Sequence, residues 1–110
     1  MVLSIFYDNR MTQPEARLIR RAKAYIEGRG GRSFKIHGGD PMQEVGIPDL
    51  LVCYRGRFVG LEGKQPGQKP SAKQQQILSE IEGAGGHALA FSTVDEVASL
   101  LTKIDKEVRR

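Results

Sequence analysis

Hydrophobic positions along the first third of the chain recur with helical spacing and then alternate. An apolar stripe on one face predicts a helix over 13–26, with a glycine-rich stretch after its end. Thr12 and Glu15 have the spacing of a capping box at its start. The segment 32–37 alternates apolar and polar residues before a glycine turn, which predicts a first strand.

Two further apolar runs, 49–54 and 57–64, are separated only by Arg55-Gly56. This pattern predicts a β-hairpin closed by a two-residue turn. Both runs carry apolar residues on both faces, so we expect central strands that are covered on both sides. These apolar residues are Leu51 and Phe58 on one face and Leu50, Val52, Val59 and Leu61 on the other.

The last third of the chain predicts a helix, a strand and a final helix. Ser71 caps a helix that runs to about residue 82, and 87–91 forms a fourth strand. Ser92 or Thr93 caps the final helix, which precedes a charged tail. The predicted order is αβββαβα, an α/β domain with a small mixed sheet flanked by helices.

Composition and charge narrow the class of protein. With 110 residues, 39% of them hydrophobic and 27% charged, the chain is expected to form one domain over 1–110. It has no apolar run of the roughly 18–20 residues that a membrane span needs, so we expect a cytoplasmic protein without a membrane partner. A single cysteine, Cys53, excludes an internal disulfide and a multi-cysteine zinc site, and its mid-strand position predicts packing in the core. The net charge of +4 suits a polyanionic partner.

The hairpin brings charged residues together. Counting back from the turn places Asp49 opposite Glu62 on one face of the sheet. Opposed like charges destabilise a sheet, and a divalent cation such as Mg²⁺ or Mn²⁺ would relieve the repulsion. Lys64 follows two residues after Glu62 and therefore lies on the same face. Two carboxylates, a metal-bound water and a lysine are sufficient to hydrolyse a phosphodiester.

This set of residues resembles a nuclease family. Gly46-Ile-Pro-Asp49, twelve intervening residues and Glu62-Gly-Lys64 are preceded by a helix with Glu15 and followed by Ser71-Ala-Lys-Gln74. The pattern is similar to that of the PD-(D/E)xK nuclease superfamily and, more narrowly, of the VRR-NUC group, the virus-type replication-repair nuclease domain. The resemblance covers roughly 12–101 and implies the restriction-endonuclease-like αβββαβα core.

Position by position, the resemblance implies roles for the site residues. It implies that the metal ligands are Asp49, Glu62, Glu15 and the backbone carbonyl of Gly63. Lys64 becomes the catalytic lysine, and Gln74 becomes a glutamine of the catalytic site. Gly63 departs from the commonest pattern, which has an apolar residue such as valine there, but its carbonyl is still available as a ligand.

The resemblance also implies a function. The expected protein is a Mg²⁺- or Mn²⁺-dependent DNA endonuclease, selective for Holliday junctions, flaps or other branched DNA in phage or bacterial replication and repair. By analogy it acts as a homodimer, in the host cell cytoplasm if it is phage-encoded. Two alternatives stay open: a non-catalytic nucleic-acid-binding module with a nuclease fold, and a nuclease directed at single strands or RNA.

Several candidate residues have a second, structural interpretation. Glu15 also completes a capping box with Thr12, and Gln74 completes one with Ser71. His37 ends a strand near the site and is a possible general base, whereas His87 reads as an ordinary strand residue.

Scattered basic residues usually keep a surface in solution. Lys35, Lys69 and Lys73 flank the site in the sequence, however, and are expected to contact phosphates. The chain also carries Arg17, Arg20, Arg21, Arg29 and Arg32, which we leave on the solvated surface.

Overall fold

The computed structural model describes residues 11–39 and 41–109, and it forms a four-stranded mixed sheet with helices on both faces. The remaining residues of the domain predicted over 1–110 lie outside the described ranges. The elements are α1 (Gln13–Gly28), β1 (Arg32–Lys35), β2 (Leu50–Tyr54), β3 (Arg57–Gly63), α2 (Ala72–Gly83), β4 (His87–Phe91) and α3 (Val94–Val108). Their order over these ranges is the predicted αβββαβα. Among the described helices, none is long and apolar enough to cross a membrane.

The sheet has the order β1-β2-β3-β4, with antiparallel pairs β1·β2 and β2·β3 and a parallel pair β3·β4. The hairpin register runs from Tyr54 opposite Arg57 to Leu50 opposite Leu61. Arg55 and Gly56 have φ values of 50° and 78°, the left-handed pair that a two-residue type I′ turn requires. The predicted hairpin and its register are therefore confirmed.

One face of the sheet packs against α1 and α3 and forms the core. The β2 and β3 side chains on this face are buried, and Ile19 and Ile26 of α1 pack against them. Gly63 also lies on this face, where an added Cβ would come within 2.7 Å of the Ile19 Cδ1 atom. The buried hairpin residues are Leu50, Val52, Tyr54, Val59 and Leu61.

Only half of the other face is covered. Helix α2 packs over β3 and β4, and a Cβ on Gly60 would come within 2.7 Å of the Ile81 Cδ1 atom. Over β1, β2 and the start of β3 the face is exposed to solvent, with Phe34 52% and Phe58 50% exposed. The expectation that the hairpin is covered on both sides is therefore wrong for this half, because α2 is a single helix of 12 residues and packs at one side of the sheet.

Cys53 was expected to pack in the core, and this is also wrong. It lies on the uncovered half and is exposed. We call this half of the sheet the open face, and it consists of Arg32, Phe34, Leu51, Cys53 and Phe58.

All three described helices begin with a capping box, in which a hydroxyl accepts from a backbone N–H three residues later and that residue's side chain reaches back. Thr93, rather than Ser92, is the N-cap of α3. The three pairs are Thr12 with Glu15, Ser71 with Gln74, and Thr93 with Glu96. The helix starts are thus fixed by local hydrogen bonds, which explains why the sequence predicted them closely.

The loop before β2 depends on a glycine, and we predict that Gly46→Ala destabilises the fold. Gly46 has φ +91°, and an added Cβ would lie 2.9 Å from the Lys73 Cγ atom and 3.1 Å from the Lys73 carbonyl oxygen. Gly67, with φ +86° and nothing within 4 Å, is the matched control. Positive φ alone costs an L-residue about 1–2 kcal/mol, and Gly46→Ala adds the collision with α2. Thermal unfolding should show a lower Tm for Gly46→Ala than for Gly67→Ala; equal values would contradict the packing argument.

Candidate active site

The carboxylates of Asp49 and Glu62 meet where β2 begins and β3 ends. Asp49 immediately precedes β2, and its carbonyl accepts a hydrogen bond from the Ile36 N–H at 2.8 Å, so it continues the strand pairing beyond the ladder. Its Oδ2 accepts from the Gly63 N–H across the hairpin at 2.9 Å. Glu62 is buried and Asp49 is half-buried. The hairpin register thus places the two carboxylates side by side, as counting from the turn predicts.

Lys64 joins the pair from the end of β3. Its Nζ atom lies 3.6 Å from Glu62 Oε2, and its side chain is only 18% exposed. Its backbone N–H donates to the Phe91 carbonyl at 2.9 Å, which ties this end of β3 to β4. The structure therefore brings Asp49, Glu62 and Lys64 together, held by main-chain hydrogen bonds to both neighbouring strands.

The pKa values of both carboxyl groups are raised, so Lys64 does not fully compensate the negative charge of Asp49 and Glu62. Burial, followed by the charge of Asp49, raises the pKa of Glu62 to about 7 in spite of the nearby Lys64. Burial also raises the pKa of Asp49, against the opposing influence of the Gly63 N–H, Lys35 and Lys64. Added positive charge would therefore stabilise the ionised form of both groups.

A cavity of about 560 Å³ opens above the pair. Glu15 on α1 and Gln74 on α2 line it from opposite sides, and the negative charge of Glu15 is close enough to raise the pKa of Asp49. Glu15 Oε1 also accepts from the Thr12 N–H at 2.9 Å, and Gln74 Oε1 accepts from the Ser71 N–H at 2.9 Å. The capping interpretation and the site interpretation of these two residues are therefore compatible.

The donor set fits a hard divalent cation. Over residues 11–39 and 41–109, no group of three His, Cys, Asp or Glu side chains is close enough to hold a metal by side chains alone. Two carboxylates that repel each other and the adjacent Gly63 carbonyl are oxygen donors only, and Mg²⁺ commonly takes one or two protein carboxylates and leaves its other positions to water and phosphate. The residues present therefore suit Mg²⁺ or Mn²⁺ better than zinc.

Comparison with known proteins adds an independent observation. No family model and no curated protein matches the chain. A solved structure described as "VRR_NUC domain" superposes with a TM-score of 0.69 at 26% identity, over 83% of this chain and 97% of that one. This likeness supports a VRR-NUC domain. A second structure, "VRR_NUC domain protein", has a TM-score of 0.61 at 16% identity over 80% of this chain and 84% of its own, and it shows the shared fold.

The two VRR-NUC neighbours support a nuclease-family domain. Lys35 lines the cavity, and its positive charge partly opposes the rise that burial causes in the pKa of Asp49. Lys69 and Lys73 are exposed and do not line it. His37 is exposed and lines the cavity. His87 is in β4 and does not line the cavity; its Nε2 atom lies 3.0 Å from Oε2 of Glu107 in α3.

Arg20, which the sequence predicts on the solvated surface, lines the cavity. Arg20 lies four residues after Ala16, which also lines the cavity, so the two side chains share one face of α1. That signal is visible only once the rotation of α1 about its axis is known.

The raised pKa of Glu62 predicts a pH dependence of stability in the metal-free VRR-NUC domain. The pKa is about 7 when folded against 4.5 for the free group, so protonated Glu62 contributes stability in full below pH 4.5 and this contribution is lost as pH rises through 7. We expect Glu62→Gln to have a Tm close to that of the wild type at pH 5 and higher by several degrees at pH 8, both in EDTA. Glu82→Gln, at an exposed position on α2, should show no such divergence. A Glu62→Gln effect that is the same at both pH values would contradict this account.

Proposed function

We propose that this VRR-NUC domain is a Mg²⁺- or Mn²⁺-dependent DNA nuclease that hydrolyses phosphodiester bonds. The observation that carries the proposal is the pairing of Asp49 with buried Glu62, with the Lys64 ammonium 3.6 Å from Glu62 Oε2, beneath a cavity of about 560 Å³. Two carboxylates that repel each other, with a lysine beside them, form a site for a cation and a phosphate rather than for a neutral ligand.

Each residue has a role in this proposal. Asp49, Glu62 and the Gly63 carbonyl would hold the metal, and Glu15 adds its negative charge from the α1 side of the cavity. When bound, the ion supplies Lewis acidity toward the scissile phosphate and toward a water molecule. Lys64 donates from Nζ to orient the attacking water and to stabilise negative charge that develops on the phosphate oxygens.

The rim of the cavity positions the DNA. Lys35 and Arg20 line the cavity, and we assign their positively charged side chains to the phosphates on either side of the scissile bond. Gln74 uses Oε1 in the cap of α2, so its Nε2 amide is the group that we assign to the substrate. Exposed Lys69 and Lys73 contribute at most to long-range attraction of DNA.

We further propose that the substrates are branched DNAs, such as Holliday junctions and flaps, that arise in phage or bacterial replication and repair. A homodimer would present two such sites to one branched molecule. The support is the family resemblance together with the compact site described above.

The proposal predicts metal-dependent cutting in a panel of linear, flapped, nicked and four-way DNA substrates with Mg²⁺ or Mn²⁺, abolished by EDTA. Lys64→Ala should reduce the cleavage rate by at least about 100-fold and change DNA affinity little, because the lysine acts mainly on the transition state. Lys69→Ala, exposed and outside the cavity, is the matched control and should cut normally.

Other outcomes of this panel would contradict the proposal. Binding without cutting of any substrate would identify a non-catalytic nucleic-acid-binding module. Cutting confined to single strands or RNA would identify a different nuclease, and full activity of Lys64→Ala would overturn the role of the lysine.

A pair of variants separates the two roles of Glu15. Glu15→Gln keeps an acceptor for the Thr12 N–H and removes the charge from the cavity, so we expect an unchanged Tm and at least about 10-fold slower cleavage. Thr12→Ala breaks the same cap without altering the cavity lining, and we expect a Tm lower by about 5 °C with normal cleavage well below that Tm. Wild-type cleavage by Glu15→Gln would show that Glu15 is a capping residue alone.

A further inference from the structure

The open face presents two aromatic rings to solvent. Phe34 on β1 is 52% exposed and Phe58 on β3 is 50% exposed, with Leu51 and Cys53 of β2 between them. The Arg32 guanidinium carbon lies 4.2 Å from the centroid of the Phe34 ring, over its face. Exposed rings with an arginine across a sheet surface are the side chains on which nucleobases stack.

This face is continuous with the candidate active site. Phe34 pairs with Leu51, and the next positions along β2 and β3 on the same face are Asp49 and Glu62. Two residues along a strand span about 7 Å, so the ring of Phe34 and the carboxylate pair occupy neighbouring rows of side chains. Phe58 lies one row further from the site, in register with Cys53.

We infer that the open face binds an unpaired DNA strand, whose bases stack on Phe34 and Phe58 and whose backbone leads to the carboxylate pair. The inference rests on the proposed nuclease function and specifies the form of its substrate. In a duplex both faces of each internal base are already covered by neighbouring bases, so side chains can stack only on unpaired or terminal bases. The two rings are separated by β2, about 10 Å across the sheet, which is far more than the ~3.4 Å step of a stacked strand and therefore suits an extended one.

The charges around this face give the strand an orientation. Arg32 lies on the β1 side of this face, and its side chain is 63% exposed. On the opposite side, an apolar groove of about 430 Å³ runs between Phe58 and α2, and Glu44 and Glu80 are among its lining residues. Phosphates are therefore attracted to the β1 side, and bases to the rings and the groove.

Cys53 provides a direct test, because it is the single cysteine of the chain, is exposed, and pairs in register with Arg32 and Phe58. Its rate of reaction with a chromogenic disulfide reagent is measured in EDTA, where no cutting occurs. We expect saturating oligodeoxythymidylate to slow the reaction at least about 5-fold and a blunt duplex of equal length to slow it much less. Equal protection by both, or protection by neither, would overturn the inference.

Conservative variants distinguish base stacking from generic apolar contact. Phe34→Leu and Phe58→Leu keep apolar bulk at half-exposed positions, so we expect wild-type Tm values and oligodeoxythymidylate Kd values at least about 5-fold higher. Phe34→Tyr and Phe58→Tyr keep the rings and should bind as the wild type does. If both leucine variants bind normally, the inference is wrong. It is also wrong if Cys53 becomes protected at high protein concentration without DNA, which would identify the face as a contact with a second copy.

The outcomes separate this inference from the proposed function. Protection of Cys53 and loss of binding in the leucine variants, without cutting of any substrate, would leave the open face as a DNA surface and overturn the nuclease proposal. Metal-dependent cutting with no protection of Cys53 would uphold the nuclease and overturn the inference.

Discussion

Two carboxylates held side by side at the end of one hairpin are the arrangement on which the rest of the site depends. Removing charge from water is costly, and at Asp49 and Glu62 the chain compensates with one N–H at 2.9 Å and one ammonium at 3.6 Å. Burial and mutual repulsion still raise the pKa of Glu62 to about 7. Such an arrangement persists only where the surrounding fold prevents the two groups from moving apart. Any cation that relieves the repulsion binds the folded chain preferentially and stabilises it.

The rigidity comes from the opposite face of the same strands. Leu50 and Leu61 are fully buried beneath α1 and α3, one residue away from the two carboxylates. A slip of one residue in the β2·β3 register would turn these leucines outward and move Glu62 and Lys64 toward the helices. The left-handed turn at Arg55 and Gly56 sets the count from the other end of the hairpin. The packing of the core and the geometry of the site are therefore specified by one register.

This dependence explains what the sequence could and could not predict. The turn, the register and the capping boxes depend on residues within a few positions of each other, and counting from Arg55-Gly56 was enough to place Asp49 opposite Glu62. Coverage of the second face depends on where a distant helix packs. The apolar pattern at Phe58 and Cys53 was consistent with burial, yet α2 covers only β4 and the later part of β3 and leaves both residues exposed. Arg20 was missed for the same reason, because its access to the cavity depends on the rotation of α1 against the sheet.

The two helices that border the cavity approach it with their first turns. Glu15 of α1 and Gln74 of α2 each complete a capping box and line the cavity, so the first turns of both helices lie at its rim. Helix N-termini carry partial positive charge and favour anions, which offsets part of the negative potential of Asp49 and Glu62 toward an incoming phosphate. Capping alone does not account for this placement, because Glu96 caps α3 in the same way without lining the cavity. What distinguishes Glu15 and Gln74 is where the sheet puts their helices. The caps fix the helix starts, and those starts in turn fix the rim against which a phosphate would bind.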